Sequence, residues 1–329
     1  MSGALPFERV KREVLVRKES GTSPKFGSAP EKRSTEDLIK YGIINIDKPR
    51  GPTSHQVSAF VKHILRLRKT GHSGTLDPKV TGVLPVALAN ATKITQALLI
   101  AGKEYVAIMH IHDDIGEYDI YKACDSFVGK IKQKPPIKSS VRRRERYRRV
   151  YYLDIIEIDG RDVLFRAGTE AGTYIRKLIH DIGAKLGSGA HMTELRRTKA
   201  GPFSEENLAT LQDLQDAYWL YTEKKDDGGL RRIIQPMEDA VEHLPKIWVM
   251  DTTVDSLCHG AKLHVPGIAK VEEGIEPDNT VAVMTLKNEL VSLARAKMTS
   301  RNMAGKNKGI AARSERVFME TGVYPKVEK

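Results

Sequence analysis

The sequence predicts an α+β fold: a domain of helices and strands over about 41–240, then a compact β domain over about 245–325, behind an irregular extension at 1–40. Three observations carry this expectation. Between residues 42 and 220, short β-type apolar runs interleave with segments of helical periodicity. Beyond Pro236 and Pro245 only short β-type runs remain, at 247–249, 263–265 and 281–286, with turns at Pro266-Gly267 and Pro277-Asp278-Asn279, the pattern of a small barrel or sandwich. The first 40 residues are polar, gather Ser, Gly and Pro at 20–30, and show no sustained period, so they are expected to wrap back onto the β domain.

Each element has a local cause. Residues 42–47 form an apolar strand ended by the turn Lys48-Pro49-Arg50-Gly51-Pro52. Thr53 or Ser54 then caps a helix whose apolar face is Val57, Phe60, Val61 and Ile64. A second helix is expected at 92–99 and a strand at 105–111. Runs at 151–158 and 163–167 flank Asp159-Gly160, the signal of a β-hairpin. Thr173 is expected to cap a helix with Ile175, Leu178, Ile179, Ile182 and Leu186 on one face and Gly187 at its C-terminal end. Helical spacing returns at 208–220 and stops in the polar stretch 223–229.

Composition narrows the function. The 329 residues carry a formal net charge of +12, with 40% hydrophobic residues, an ordinary globular balance. No apolar run approaches the ~20 residues that cross a bilayer, and the N-terminal residues lack an apolar signal core, so secretion is not expected. Cys124 and Cys258 are the only cysteines, too few for a disulfide framework or a thiolate metal site, which predicts a reducing compartment. Ten basic residues lie between Lys130 and Arg149 against one acid, Glu145. Lys138, Arg142, Arg143, Arg144, Arg146, Arg148 and Arg149 form its dense part, beside a sheet edge, and an arginine-rich stripe suits phosphate, which it grips bidentately. A solvated face is the bland alternative. No amphipathic apolar segment accompanies the stripe, so a membrane surface is not the expected partner.

Familiar cofactor anchors are absent: no phosphate loop, dinucleotide fingerprint, nucleophile elbow or H-E-x-x-H occurs. His110 and His112 share one strand face beside Asp113 and Asp114, but no third ligand is suggested. No metal and no cofactor are expected. The unusual stretch is 71–85, rich in Gly and Pro yet apolar, and therefore a structured loop; Pro78 restricts Asp77 to extended geometry and holds its carboxylate outward. An Asx turn is the bland reading of that aspartate.

Gly71-His72-Ser73-Gly74-Thr75-Leu76-Asp77-Pro78, followed by Gly82-Val83-Leu84-Pro85, resembles the signature loop of the TruB family of pseudouridine synthases. Asp47-Lys48-Pro49-x-Gly51, Lys103-Glu104-Tyr105, Gly172-Thr173-Tyr174-Ile175-Arg176 and Leu195-Arg196-Arg197-Thr198 agree with it. Lys134-Pro135-Pro136, the arginine stretch and Val150-Tyr151-Tyr152 resemble the archaeal and eukaryotic branch, and 259–268 resembles that branch's PUA domain, a small RNA-binding barrel. With no Lys-rich tail after Lys329, an archaeal-type member is expected.

The resemblance implies a mixed, largely antiparallel central sheet with flanking helices. It places the catalytic aspartate at Asp77, its arginine partner at Arg176 and the active-site tyrosine at Tyr105, with Lys48, His72, Thr75 and Leu195 around the pocket. It implies RNA-guided isomerisation of uridine in rRNA and tRNA, as the catalytic subunit of an H/ACA ribonucleoprotein. The implied partners are a guide RNA, a substrate RNA, two small core proteins and a kink-turn-binding ribosomal-type protein. The setting is the cytoplasm, or the nucleolus in a eukaryote. Chemistry without electron or energy carriers matches the missing cofactor motifs. Attack by Asp77 on C1′, attack on C6 and a glycal route all remain compatible, with Arg176 expected to keep the carboxylate charged in a partly dry pocket. A stand-alone tRNA enzyme and a non-catalytic RNA-binding protein are the competing readings; assay of the lone protein on a tRNA arm separates the first, and an Asp77→Asn variant the second.

Overall fold

The computed structural model describes residues 3–135 and 144–326. Its strands, in chain order, are β1 (Val14–Val16), β2 (Gly42–Lys48), β3 (Thr70–His72), β4 (Thr81–Leu88), β5 (Lys103–Ile111), β6 (Gly129–Gln133), β7 (Arg146–Asp159), β8 (Asp162–Thr169), β9 (Ala190–Ala200) and β10 (Ile234–Pro236). The C-terminal half adds β11 (Lys246–Val249), β12 (Leu263–His264), β13 (Ile268–Glu272), β14 (Thr280–Thr285), β15 (Leu290–Ala296) and β16 (Ile310–Val317).

Among the described residues these strands form two sheets. The first runs β10-β2-β4-β9-β5-β8-β7-β6, with β3 paired to β4; its pairs are antiparallel except β4 with β9. The second runs β1-β13-β11-β14-β15-β16-β12. Helices cover the first sheet: α1 (Thr35–Tyr41), α2 (Ser54–Ile64), α3 (Thr95–Ile100), α4 (Glu117–Asp125), α5 (Ile175–Leu186) and α6 (Leu211–Trp219). The expected α+β architecture with a largely antiparallel sheet and an appended β domain is what the chain adopts.

Helix starts and stops follow local chemistry. Thr53 caps α2 through a capping box with Gln56, and Val57 and Val61 are buried. Phe60, expected on the same face, is 46% exposed, because the sheet covers a narrower stripe than the apolar spacing spans. Gly187 ends α5 in the left-handed region, φ 81°. Thr173 does not cap α5: its hydroxyl turns back to the Glu170 carbonyl, and Tyr174 occupies the cap position without a side-chain bond. Residues 1–40, expected to be irregular, contain β1 and the start of α1. β1 extends the C-terminal sheet by pairing antiparallel with β13, and Asp251 and Glu289 accept hydrogen bonds from Ser23 and Ser28 backbone.

Among the described residues, four apolar cores hold the fold. One lies between α5, α4 and β5, β7 and β8. A second lies between α2, α6 and β2 and β4. A third lies against the C-terminal sheet. The fourth joins the two halves, packing Ile43, Val83, Ile94 and Leu98 against Trp248, Ala282, Met284, Leu290 and Phe318. The parallel contact of β4 with β9, at Thr81–Arg196 and Gly82–Arg197, positions the candidate site.

Candidate active site

Asp77 lies in the connection just before β4 and projects into solvent with 53% of its side chain exposed. Its backbone is pinned from several sides. Lys48, fully buried at the end of β2, donates from Nζ to the carbonyls of Pro49 (2.9 Å), Pro78 (3.2 Å) and Val80 (2.8 Å). Burial lowers the Lys48 pKa, and the nearby Asp77 charge acts in the opposite direction. Ser54, in the first turn of α2, accepts from the Leu76 amide at 2.8 Å. The Gly51 amide donates to the Pro78 carbonyl at 2.9 Å, and the Val80 amide to the Asp77 carbonyl at 3.0 Å. A carboxylate on so constrained a loop spends little entropy on being positioned.

Arg176, in the first turn of α5, donates from Nη2 to Asp77 Oδ2 at 2.5 Å. Its own placement depends on Gln133, a buried residue at the end of β6 that clasps the Tyr174 backbone, accepting from its amide at 3.0 Å and donating to its carbonyl at 3.2 Å. The pair is not in a dry pocket, as the sequence suggested: Arg176 is 56% exposed, much like Asp77. In the free protein this ion pair is therefore a surface contact, and the penalty for a buried unpaired charge does not apply to it.

Tyr105 and Arg197 meet on neighbouring strands. In register, Gly82 of β4 lies beside Arg197 of β9, which lies beside Tyr105 of β5. Leu195, half-buried, precedes Arg197 by two residues on β9 and pairs with Ala107. Arg197 is 1% exposed; its Nε donates to the Val83 carbonyl at 2.7 Å and its Nη2 to the Gly74 carbonyl at 3.4 Å, and the Tyr105 phenol lies close enough to act on it electrostatically. Gly82, at φ +101°, is required here, since a Cβ would stand 2.2 Å from the Arg197 carbonyl oxygen.

The signature loop supplies the remaining pocket positions. His72 on β3 packs edge-on against His55 at 5.0 Å between ring centres, and its Nδ1 is buried without a partner. Burial, then His55 and Arg197, lower its pKa, partly opposed by the Gly74 backbone. Thr75 is exposed, two residues from Asp77.

The basic stripe divides. Lys138, Arg142 and Arg143 lie outside the described residues. Arg144 and Arg149 are exposed, while Arg146 and Arg148 are half-buried on β7, whose alternation sends 146 and 148 to one face and 147 and 149 to the other. Arg148 approaches Glu170 at 3.7 Å, in the turn that leads to α5. The stripe follows β7 next to the edge strand β6. His110 and His112 are joined by His191 of β9, and His112 Nε2 lies 3.0 Å from His191 Nδ1, but no group of His, Cys, Asp or Glu among the described residues is arranged to hold a metal.

Sequence reasoning missed Ser54, Gln133 and Arg197 as supports of the site. The signal for Arg197 was its spacing of two from Leu195 on a strand; Gln133 carried none.

This geometry joins a rigidly presented carboxylate, a guanidinium on it and a tyrosine at a shared strand junction; comparison with known proteins supplies the family. Residues 62–175 match the N-terminal domain model of TruB family pseudouridylate synthases, and 176–242 match the tRNA pseudouridylate synthase B C-terminal domain. Residues 4–58 match the DKCLD domain and 245–318 the PUA domain. The chain belongs to the TruB family of pseudouridine synthases, in its form with DKCLD and PUA domains.

It is 58% identical over 320 residues to a probable tRNA pseudouridine synthase B of Pyrococcus furiosus, covering 97% of this chain and 94% of that one. With the Methanopyrus kandleri protein of the same name it shares 56% identity over 322 residues, 98% of this chain and 95% of the relative. Among solved structures it resembles a Cbf5-Nop10-Gar1 complex at TM-score 0.95 and 57% identity, covering 98% of this chain and 99% of the other. An H/ACA RNP bound to a substrate RNA containing 2′-deoxyuridine matches at TM-score 0.93 and 55% identity, with the same coverage.

Proposed function

We propose that this pseudouridine synthase works as the RNA-guided catalytic subunit of an H/ACA ribonucleoprotein, with Asp77, Arg176 and Tyr105 acting on the base. The observation that carries the reading is the pinned loop that presents Asp77 against Arg176 while its other end is held by Arg197, which pairs with Tyr105 on the next strand.

Isomerisation breaks the N1–C1′ bond of uridine, turns the uracil and joins C5 to C1′, with the C5 proton lost and N1 protonated. The ionised Asp77 supplies the carboxylate that engages sugar or base. The Arg176 guanidinium holds that carboxylate in one orientation. Tyr105 offers a ring face for the uracil, where stacking is worth ~1–3 kcal/mol per base, and a hydroxyl for handling the proton at C5. Because the Asp77–Arg176 pair is open to water in the free protein, the RNA itself completes the enclosure of the reacting base. Extruding the base costs a few kcal/mol. Contacts from the PUA domain and the exposed cations Arg144 and Arg149 offset it, together with guide pairing, which also chooses the target.

The partners proposed for this chain are a guide RNA, a substrate RNA and small proteins of the Nop10 and Gar1 kind, named in the complexes it resembles. Among the described residues no helix is long and apolar enough to cross a membrane, and the proposed place of action is the cytoplasm. The names of the relatives favour a second substrate, tRNA. One experiment separates the two: assemble the chain with a guide, a matching rRNA fragment and the two small proteins, and map pseudouridine with carbodiimide. Product on the rRNA fragment that vanishes when the guide is omitted supports the guided reading. Product on a tRNA arm with the protein alone supports the other, and no product on either RNA refutes both.

A further inference from the structure

Arg197 differs from Asp77 and Arg176 in that it cannot touch the RNA: it is 1% exposed. Burial pulls its pKa below the usual arginine value, and the contact with Tyr105 offsets part of that cost. A buried guanidinium that hydrogen-bonds two backbone carbonyls and lies beside a phenol on the paired strand is an expensive way to fill a core, and an apolar residue of similar volume would stabilise the fold at least as well. The arrangement makes sense through what the three contacts connect. Gly74 belongs to the loop that carries Asp77, Val83 belongs to β4, and Tyr105 belongs to β5. The fork of the guanidinium can hold all three at once, whereas a lysine at this position could offer only a single centre.

We infer that Arg197 is a positioning residue for the isomerisation: its buried guanidinium ties the Tyr105 hydroxyl to the Asp77 loop, fixing the distance between the carboxylate and the group that handles the C5 proton. The inference rests on the roles given above to Asp77 and Tyr105. It assigns Arg197 no contact with substrate. Its effect is on geometry alone, and a displacement of about 1 Å at a reacting group lowers rates by about 10²-fold.

The test uses the assembled complex with guide and substrate RNA, and single-turnover pseudouridine formation at saturating protein. Four proteins are compared with the wild type: R197K, Y105F, the double variant R197K/Y105F, and D77N as the control for the underlying reading. R197K is expected to bind substrate RNA within about threefold of wild type and to melt as one cooperative transition, while its rate falls by about 10²-fold. In the Y105F background, R197K is expected to cost less than about tenfold, because the group through which Arg197 acts is already gone. A wild-type rate for R197K overturns the inference. So do equal, multiplicative losses in the two backgrounds, and so does loss of the cooperative transition in R197K, which is the behaviour of a purely structural arginine. Product from wild type with none from D77N keeps the Asp77 reading intact whichever way R197K falls; product from D77N removes that reading instead.

Discussion

Asp77 and Arg176 form an ion pair at 2.5 Å, yet both are more than half exposed. Exposed pairs contribute ~0–1 kcal/mol to stability. Replacing Arg176 with Ala is therefore expected to leave the denaturation midpoint nearly unchanged, a difference below ~1 kcal/mol, while the rate of pseudouridine formation falls by at least about 10²-fold. Guanidinium-chloride unfolding measured beside a single-turnover assay checks both halves. A loss of several kcal/mol would mean that the pair is a structural anchor. At this scale the sequence was informative where backbone chemistry is local: the Asp77-Pro78 dipeptide announced an outward carboxylate. It could not show that the partner guanidinium would remain wet, because exposure depends on which elements fail to cover the loop.

At the scale of elements, the junction of β4, β9 and β5 is where the proposed site residues meet. The close approach of β4 to β9 depends on Gly82, with φ +101° and no room for a Cβ beside the Arg197 backbone. Gly82→Ala is expected to part these strands, destabilising the protein by about 2 kcal/mol or more and suppressing activity, which thermal unfolding and the same rate assay would register. Retention of both would show that the strands tolerate separation. The elements themselves were readable from apolar spacing and turn residues, as α2, α5 and the β7–β8 hairpin show. What escaped was cross-strand pairing. That β4 runs parallel to β9 and brings Arg197 under Tyr105 is a long-range fact, and no periodicity within either strand encodes it. The Thr173 hydroxyl was misplaced for a related reason, since it had two backbone partners within reach and took Glu170.

At the scale of the whole molecule, the catalytic sheet and the barrel share an apolar core, and two ionisable groups beside it make its stability depend on pH. Burial, then Glu242 and Glu238, raises Asp239 to about 7; burial lowers His243, beneath the Ala97 carbonyl, to about 4. Between about pH 4 and 7 the folded protein keeps a proton on Asp239 that the unfolded chain has released, so this group makes stability fall as pH rises. Between about pH 4 and 6.5 the unfolded chain protonates His243 and the folded protein does not, so this group makes stability rise with pH. The two slopes oppose each other. Asp239→Asn is expected to leave stability rising from pH 4 to 6.5, and His243→Gln to leave it falling from pH 4 to 7, as read from urea midpoints. Identical slopes in the two variants would contradict the assignment. None of this was legible in the sequence, where both residues sit in an unremarkable boundary segment.

The most direct measurement is single-turnover pseudouridine formation by Asp77→Asn in the complex assembled with guide and substrate RNA, read beside substrate binding. The substitution removes one negative charge and almost no volume from an exposed side chain, so the fold and the RNA affinity should persist. The expected result is binding within about threefold of wild type with no detectable product. Product formed at a rate near that of the wild type would contradict the account.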